Sequence, residues 1–356
     1  MGDVLLTGAT GFVGQEVLGR LLARGDRQVH ALARASGDDA AARRLPDHPR
    51  LSAWAADIER PALGLEPRRF DELAERVSTV IHCAASVSFS LGLEESRRVN
   101  VAGTGRMVEF AGHCAERGGL ERLSYVSTAY VAGAHEGEFD EDSLDVGQDF
   151  RNPYERSKFE AELMLRERAA GLPLQVLRPS IVVGDSRTGW TSSFNVLYPP
   201  LQAFARGAIP ALPARRGSPV DVVPVDYVAD SVDRLARSGP DGTFHLVAGR
   251  NATTVGRLIE LASRRFGRPA PPVFPPPLYR RLVHPLLRRR GGDALRRMEV
   301  YFPYFSMRVR FAARRHPPAP PVEGYFDRLL DFAERARWGR RSVERPPAAG
   351  VVPLSA

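Results

Sequence analysis

Tyr154 and Lys158 stand four positions apart behind Pro153, a spacing that places both side chains on one face of a helix. A phenol beside a held ammonium has its phenolate stabilised, so the pair predicts a Tyr154 pKa drawn from about 10 toward neutrality and a usable proton donor. The spacing alone is common on helix surfaces. Composition adds weight, because Lys158 is the chain's only lysine among 50 basic side chains, the rest being arginine. A compact ammonium, rather than any cation, is what this position demands. Thr128, at the end of a predicted strand, can hydrogen-bond a carbonyl oxygen while Tyr154 protonates it; Ser127 is the neighbouring alternative. Asn100 reads either as a partner for backbone or water near the lysine or as a structural, helix-bending residue.

The second constellation is Thr7-Gly8-Ala9-Thr10-Gly11-Phe12-Val13-Gly14, where a predicted strand turns into a predicted helix. Gly8 permits the turn, Gly11 admits a pyrophosphate against the backbone, and Gly14 lets the helix pack closely. Free N–H groups at the helix start then bind phosphate. The next strand ends on Arg34 where an acid would select a ribose 2′-hydroxyl. A 2′-phosphate, and hence NADPH, is favoured there, the alternative being an exposed strand-end arginine. Asp57, followed by Ile58, can hold adenine or cap a helix. Ala84 and Ala85, after Cys83, leave room for the nicotinamide half.

The elements needed to position these residues can be read from the pattern. Predicted strands at Asp3–Thr7, Gln28–Ala33, Leu51–Ala55, Thr79–His82, Arg122–Ser127, Leu174–Pro179 and Thr243–Val247 alternate with helices at Gly11–Arg24, 67–76, 94–117, 154–170 and 226–238. That alternation predicts an α/β fold with a doubly wound parallel sheet of the Rossmann type. Residues 1–184, rejoined by 220–250, form the expected cofactor domain. Residues 185–219 and 251–345 form a smaller, mainly helical substrate lobe, and 346–356 a flexible tail. Arg268–Pro277 holds six prolines and excludes helix or central strand. Helices are expected at Leu278–Arg290, Ala294–Val300 and Tyr325–Trp338. The aromatic insertion with Trp190, Phe194, Tyr198 and Phe204 either lines an apolar substrate pocket or simply packs the lobe.

Charge is uneven along the 356 residues. Residues 251–356 carry 21 Arg against 8 Asp and Glu, hence +13, so residues 1–250 carry −5 of the net +8. The basic lobe suits an acidic partner, a phosphorylated ligand or peripheral contact with an anionic membrane, unless it is only a solvated surface. Nucleic acid is not an expected partner. Cys83 and Cys114 are too few for a disulfide framework or zinc cluster, so no metal is expected. With no leader-like start and no run of about 18 apolar residues, a soluble cytoplasmic protein is expected.

The glycine turn, Ser127-Thr128-Ala129-Tyr130 and the Tyr154/Lys158 pair resemble the extended short-chain dehydrogenase/reductases. Within them, Val80–Phe89, Arg178–Gly184 and Thr188-Gly189-Trp190 are similar to the fatty acyl-CoA reductase and thioester reductase branch. The resemblance spans roughly residues 3–250. It implies a catalytic set of Thr128, Tyr154 and Lys158, and NADPH held by Gly8, Gly11, Gly14 and Arg34. Thr7, Phe12, Val13, Pro179 and Ile181 join the residues expected around the cofactor. The implied activity is reduction of an acyl thioester, carried on coenzyme A or an acyl carrier protein, to an aldehyde and onward to an alcohol. The alternatives are a dehydrogenase or epimerase acting on a nucleotide-sugar, sterol or hydroxy-ketone, and a non-catalytic NADPH-binding module. Oligomeric state is not legible.

Overall fold

The structure is a computed structural model that describes residues 2–285 and 300–345. Short apolar runs form β1 (Asp3–Thr7), β2 (Val29–Ala33), β3 (Leu51–Ala55), β4 (Val77–His82), β5 (Arg122–Val126), β6 (Leu174–Pro179) and β7 (Gly242–Leu246). The helices are α1 (Phe12–Arg24), α2 (Pro67–Arg76), α3 (Gly103–Arg117), α4 (Pro153–Arg168), α5 (Tyr198–Ala205), α6 (Val225–Ser238), α7 (Val255–Phe266) and α8 (Phe326–Arg335). The strands make one sheet in the order β7-β6-β5-β4-β1-β2-β3, every pairing parallel. Both faces are covered, which explains why β2 and β4 are buried along their whole length. Val4 and Leu6 point toward Val17 and Leu18 of α1 and Val228 and Val232 of α6. Leu5, one residue out of phase, points to Phe70, Met107 and Leu165 on the opposite side. Strand order reverses between β1 and β4, so the ligand crevice opens at their carboxyl ends.

The predicted strands and sheet-flanking helices fall within a residue or two of these elements, with one informative exception. The expected helix at 94–117 is three pieces: Leu93–Arg97, a π turn at Arg98–Ala102, and α3. A second core gathers Leu201 and Phe204 of α5, Ile259 of α7 and Leu329 and Leu330 of α8 beside the parallel pair Ile181–Val183 and Val222–Pro224. The proline-rich stretch pairs Val273–Phe274 with Leu212–Pro213 and, contrary to the expectation that it holds no helix, its last two prolines open the short helix Pro276–Leu278, where a first turn tolerates proline.

The tail is less helical than expected. Val309–Phe311 is a strand parallel to Gly137–Phe139. Alternation in Val-Arg-Phe supports this, and so does charge: Arg308 meets Glu136 at 2.7 Å, Arg314 meets Asp140 at 2.7 Å, and Arg315 pairs with Asp142. Part of the basic excess therefore neutralises an acidic loop of the same chain. The expected helix at Leu278–Arg290 begins as Pro276–Leu278 and continues through a π turn at Tyr279–Val283. Arg288, Arg289, Arg290, Arg296, Arg297, the expected helix at Ala294–Val300 apart from Val300, and the tail at 346–356 lie outside the described residues. Among the described residues, no helix is long and apolar enough to cross a membrane.

Candidate active site

The glycine turn is built as a cradle. Gly8 takes φ +72°, and a Cβ there would meet the Ala84 backbone nitrogen at 2.7 Å; a Cβ on Gly14 would stand 2.0 Å from the Gly8 carbonyl oxygen. No larger residue fits either place. Thr7 ends β1 with its Oγ1 2.7 Å from His82 Nδ1 and accepts the Ala84 N–H at 3.1 Å. Burial lowers the His82 pKa to about 3, so this ring is a neutral brace between the first and fourth strand ends. The first turn of α1 has no acidic residue and no side-chain cap, leaving the N–H groups of Phe12 and Val13 facing the crevice end of the sheet. A cradle that a Cβ would fill, at an uncapped helix start, fits the pyrophosphate of a dinucleotide.

At the far end of the crevice Arg34 is largely exposed, 3.2 Å from Glu59, and Arg98 holds the other Glu59 oxygen at 2.6 Å. Two guanidiniums thus flank one carboxylate beyond β2. Asp57 accepts the Glu59 N–H at 2.9 Å and caps a turn. Ile58 packs on α3, where a Cβ on Gly103 would lie 3.0 Å from it.

Around the phenol, Asn152 caps α4 by accepting the Glu155 N–H, and Pro153 opens the helix that carries Tyr154 and Lys158 on one face. Thr128 touches the phenol with its hydroxyl. Its other acceptor, the Pro179 carbonyl, is 3.4 Å away, too far to hold the proton firmly. Ser127 donates to Glu162 at 2.5 Å. Glu162 is itself locked in a fully buried pair with Arg178 at 2.6 Å. Lys158 is 2% exposed; its Nζ donates to the Val126 carbonyl at 2.8 Å and lies 4.2 Å from the centre of the Tyr125 ring.

The expected fall of the Tyr154 pKa is not found. Burial pushes it up to about 12, with the Thr128 hydrogen bond opposing and the Glu155 charge assisting. The ammonium is held on Val126 and Tyr125, and burial lowers Lys158 itself to about 7 against the pull of the Glu162 carboxylate. The phenol is therefore a neutral donor across the physiological range, by desolvation rather than by the lysine's charge. Asn100 sits in the π turn, donating to the Ser86 carbonyl at 3.0 Å and Ser157 Oγ at 2.9 Å while accepting the Ser86 N–H at 2.8 Å. It clamps the loop after β4 to α4 and does not touch the lysine. Burial raises Cys83 to about 12, so the thiol in this loop stays protonated.

A narrow apolar cavity of about 80 Å³ adjoins this cluster, lined by Tyr130, Ile181, Leu201, Phe204, Ile259 and Tyr304 among others. Of the four aromatic residues singled out in the insertion, only Phe204 lines it. Trp190 packs against Phe12, and Phe194 against Tyr198 and Phe332, while the Tyr198 hydroxyl accepts the Gly184 N–H. Sequence reading missed Tyr304 and Phe89. Tyr304 donates to Glu155 at 2.7 Å and accepts from Asn152 at 2.7 Å, pinning the start of α4. Phe89 stacks on Tyr304 and lies 5.9 Å from the Tyr154 ring. The dense aromatic run Tyr301-Phe302-Pro303-Tyr304-Phe305 was the available signal.

Residues 6–232 match the NAD-binding family described as male sterility protein. The chain belongs to that family. Isonitrile lipopeptide synthase of Streptomyces coeruleorubidus is 32% identical over 72% of the chain and 18% of its own length. The non-canonical nonribosomal peptide synthetase FrzA of a Cladobotryum species is 30% identical over 94% of the chain and 36% of its own. The chain spans 5% to 36% of the length of such curated relatives. Among solved structures, the terminal R domain from the myxalamid PKS-NRPS biosynthetic pathway superposes with a TM-score of 0.79 at 25% identity, covering 95% of this chain and 92% of that one. The chain thus has the extended short-chain dehydrogenase/reductase fold of the male sterility family and uses a nicotinamide cofactor.

Proposed function

We propose that this oxidoreductase reduces an acyl thioester, delivered on a carrier protein or on coenzyme A, to an aldehyde with NADPH, and that the aldehyde can be reduced again to the alcohol. One observation carries the reading. The apolar cavity has Tyr130 and Tyr304 in its wall, and Tyr304 packs on Phe89, whose ring lies 5.9 Å from that of Tyr154. A narrow wall of this kind suits an acyl chain and offers few partners to the hydroxyls of a nucleotide-sugar. The relatives point the same way, since a peptide synthetase and a lipopeptide synthase must hold acyl groups in activated form to join them.

Bound nicotinamide supplies the hydride. Thr128 and Tyr154 hydrogen-bond the carbonyl oxygen, so the charge that develops there meets two donors in a dry site. Tyr154 gives up its proton as the oxyanion forms. Lys158, one helical turn further along α4, holds the backbone of β5 and places its positive charge against the Tyr125 ring. The resulting hemithioacetal expels thiol and leaves aldehyde. With both thiols pushed up to about 12, no cysteine nucleophile is ready and no acyl-enzyme is needed.

Arg34 and Arg98 give the NADPH preference its basis. Replacing Arg34 by Ala should weaken NADPH by about 1–3 kcal/mol and leave NADH little changed. Titration of both cofactors checks it, and equal losses would make Arg34 structural. The activity itself is tested by following NADPH oxidation with acyl carrier protein thioesters, acyl-CoAs, aldehydes and nucleotide-sugars. Thioesters giving aldehyde is the expected result; turnover of nucleotide-sugars alone would overturn the reading, and binding without any turnover would favour a sensing module.

A further inference from the structure

The apolar cavity beside the catalytic cluster is walled by two different parts of the fold. On one side stand Tyr130 and Tyr304. Thr128, whose hydroxyl touches the Tyr154 phenol, accepts the Tyr130 N–H at 3.2 Å with that same oxygen. The Tyr304 hydroxyl donates to the side chain of Glu155, the residue after Tyr154, at 2.7 Å. This side of the wall is therefore bonded directly to the residues that would hold a substrate carbonyl. On the other side stand Phe204 of α5 and Ile259 and Ala262 of α7. Phe204 is backed by Phe266, 6.2 Å away between ring centroids. The two sides belong to separate hydrophobic clusters, and Ile181 packs against both.

Among the described residues, Tyr130, Tyr301 and Tyr304 supply the only hydroxyls of this wall, and every other lining side chain is a hydrocarbon or Met307. The Tyr304 hydroxyl is already engaged by Glu155 and Asn152. A peptidyl group in this space would bury amide N–H and C=O groups with few partners, a cost that a plain hydrocarbon chain does not carry. The cavity volume of about 80 Å³, at roughly 10–15 Å³ for each water-sized group, takes roughly five to eight methylenes. We infer that the cavity receives an unbranched aliphatic acyl chain of about six to ten carbons, its carbonyl end lying outside at the phenol, and that Phe204, Ile259 and Ala262 set the length by closing the far side. The choice of acyl group deepens the thioester reading proposed above and rests on it for the carbonyl end alone.

Two series of probes test this on the whole chain. Straight-chain acyl-CoAs from acetyl to palmitoyl are followed by NADPH oxidation, and straight-chain primary alcohols from ethanol to dodecanol by the shift in Tm they produce with NADPH present. In the parent, kcat/KM should rise about fourfold per added methylene, the gain from burying one CH₂, and stop rising at about eight to ten carbons. Phe204→Ala should move that limit outward by about two to four carbons, into the space the ring leaves. Ala262→Leu, which fills space instead of opening it, should move the limit inward and serves alone if Phe204→Ala does not fold. The limit for the alcohols should move in step. Rates and Tm shifts that ignore chain length, or a limit that the folded variants leave in place, would overturn the inference. Alcohols whose limit moves with the variants, while no thioester is reduced, would refute the thioester reading and uphold the cavity as the gauge of chain length.

Discussion

Replacing Tyr154 by Phe is expected to lower kcat by about 10²–10⁴-fold while cofactor binding stays intact, the range spanned by loss of a positioned proton donor. The phenol keeps its proton at neutral pH and has the Thr128 hydroxyl beside it. Burial holds it at about 12, so the parent should not lose the donor by ionisation below that value. Steady-state rates with a thioester, read beside a cofactor titration, check the claim. A Tyr154→Phe enzyme within twofold of the parent would remove Tyr154 from the chemistry.

Lys158→Met should separate activity from stability in opposite directions. The ammonium is fully buried with one carbonyl acceptor and one ring, and its pKa is lowered to about 7. Below about pH 7 the lysine is charged in both folded and unfolded chains, and the folded state bears the whole desolvation cost. Between about 7 and its ordinary value of 10.5 the unfolded chain holds the extra proton, so the parent gains stability as pH rises through this window. At pH 7 the methionine variant should therefore be about 1–3 kcal/mol more stable and nearly inactive. The gap in Tm should narrow toward pH 10. Lys158→Arg, which keeps the charge but not the compact head, should also lose most turnover. A methionine variant less stable than the parent at pH 7 would show that the Val126 and Tyr125 contacts outweigh the burial of charge.

The strand and helix alternation was legible because a parallel sheet buries its strands on both faces and its helices on one, so β1 to β6 and α1 read directly from hydrophobic runs. The glycine turn was legible for a steric reason: Gly8 and Gly14 touch backbone, and nothing else fits. Lys158 stood out only through composition. Long-range contacts were not legible. Tyr304 lies 149 positions from the Glu155 it pins, and its role depends on a fold-back that no local pattern encodes. The hydrogen bond that Ser127 donates to Glu162 on the next helix was not legible either. The Tyr154 pKa went the other way from the expectation because burial raises it, and spacing on a helix face shows neither that burial nor the Val126 carbonyl that holds the ammonium. The excess of arginine in the tail read as a free surface, yet Arg308, Arg314 and Arg315 have carboxylate partners on the Glu136–Asp142 loop.

The π turn at Arg98–Ala102 carries one residue more than an α-helical turn would hold, and so acts as a phase shifter. Upstream of it, Arg97 faces Glu160 at 2.7 Å; downstream, Met107, Phe110 and Ala111 face the sheet. A continuous α-helix would rotate one of these sets by about 100° out of alignment. Asn100 occupies the widened turn, where its amide reaches two neighbouring segments at once. The added residue thus lets one helix keep two incompatible registers, with the loop after β4 fastened at the point where they change over.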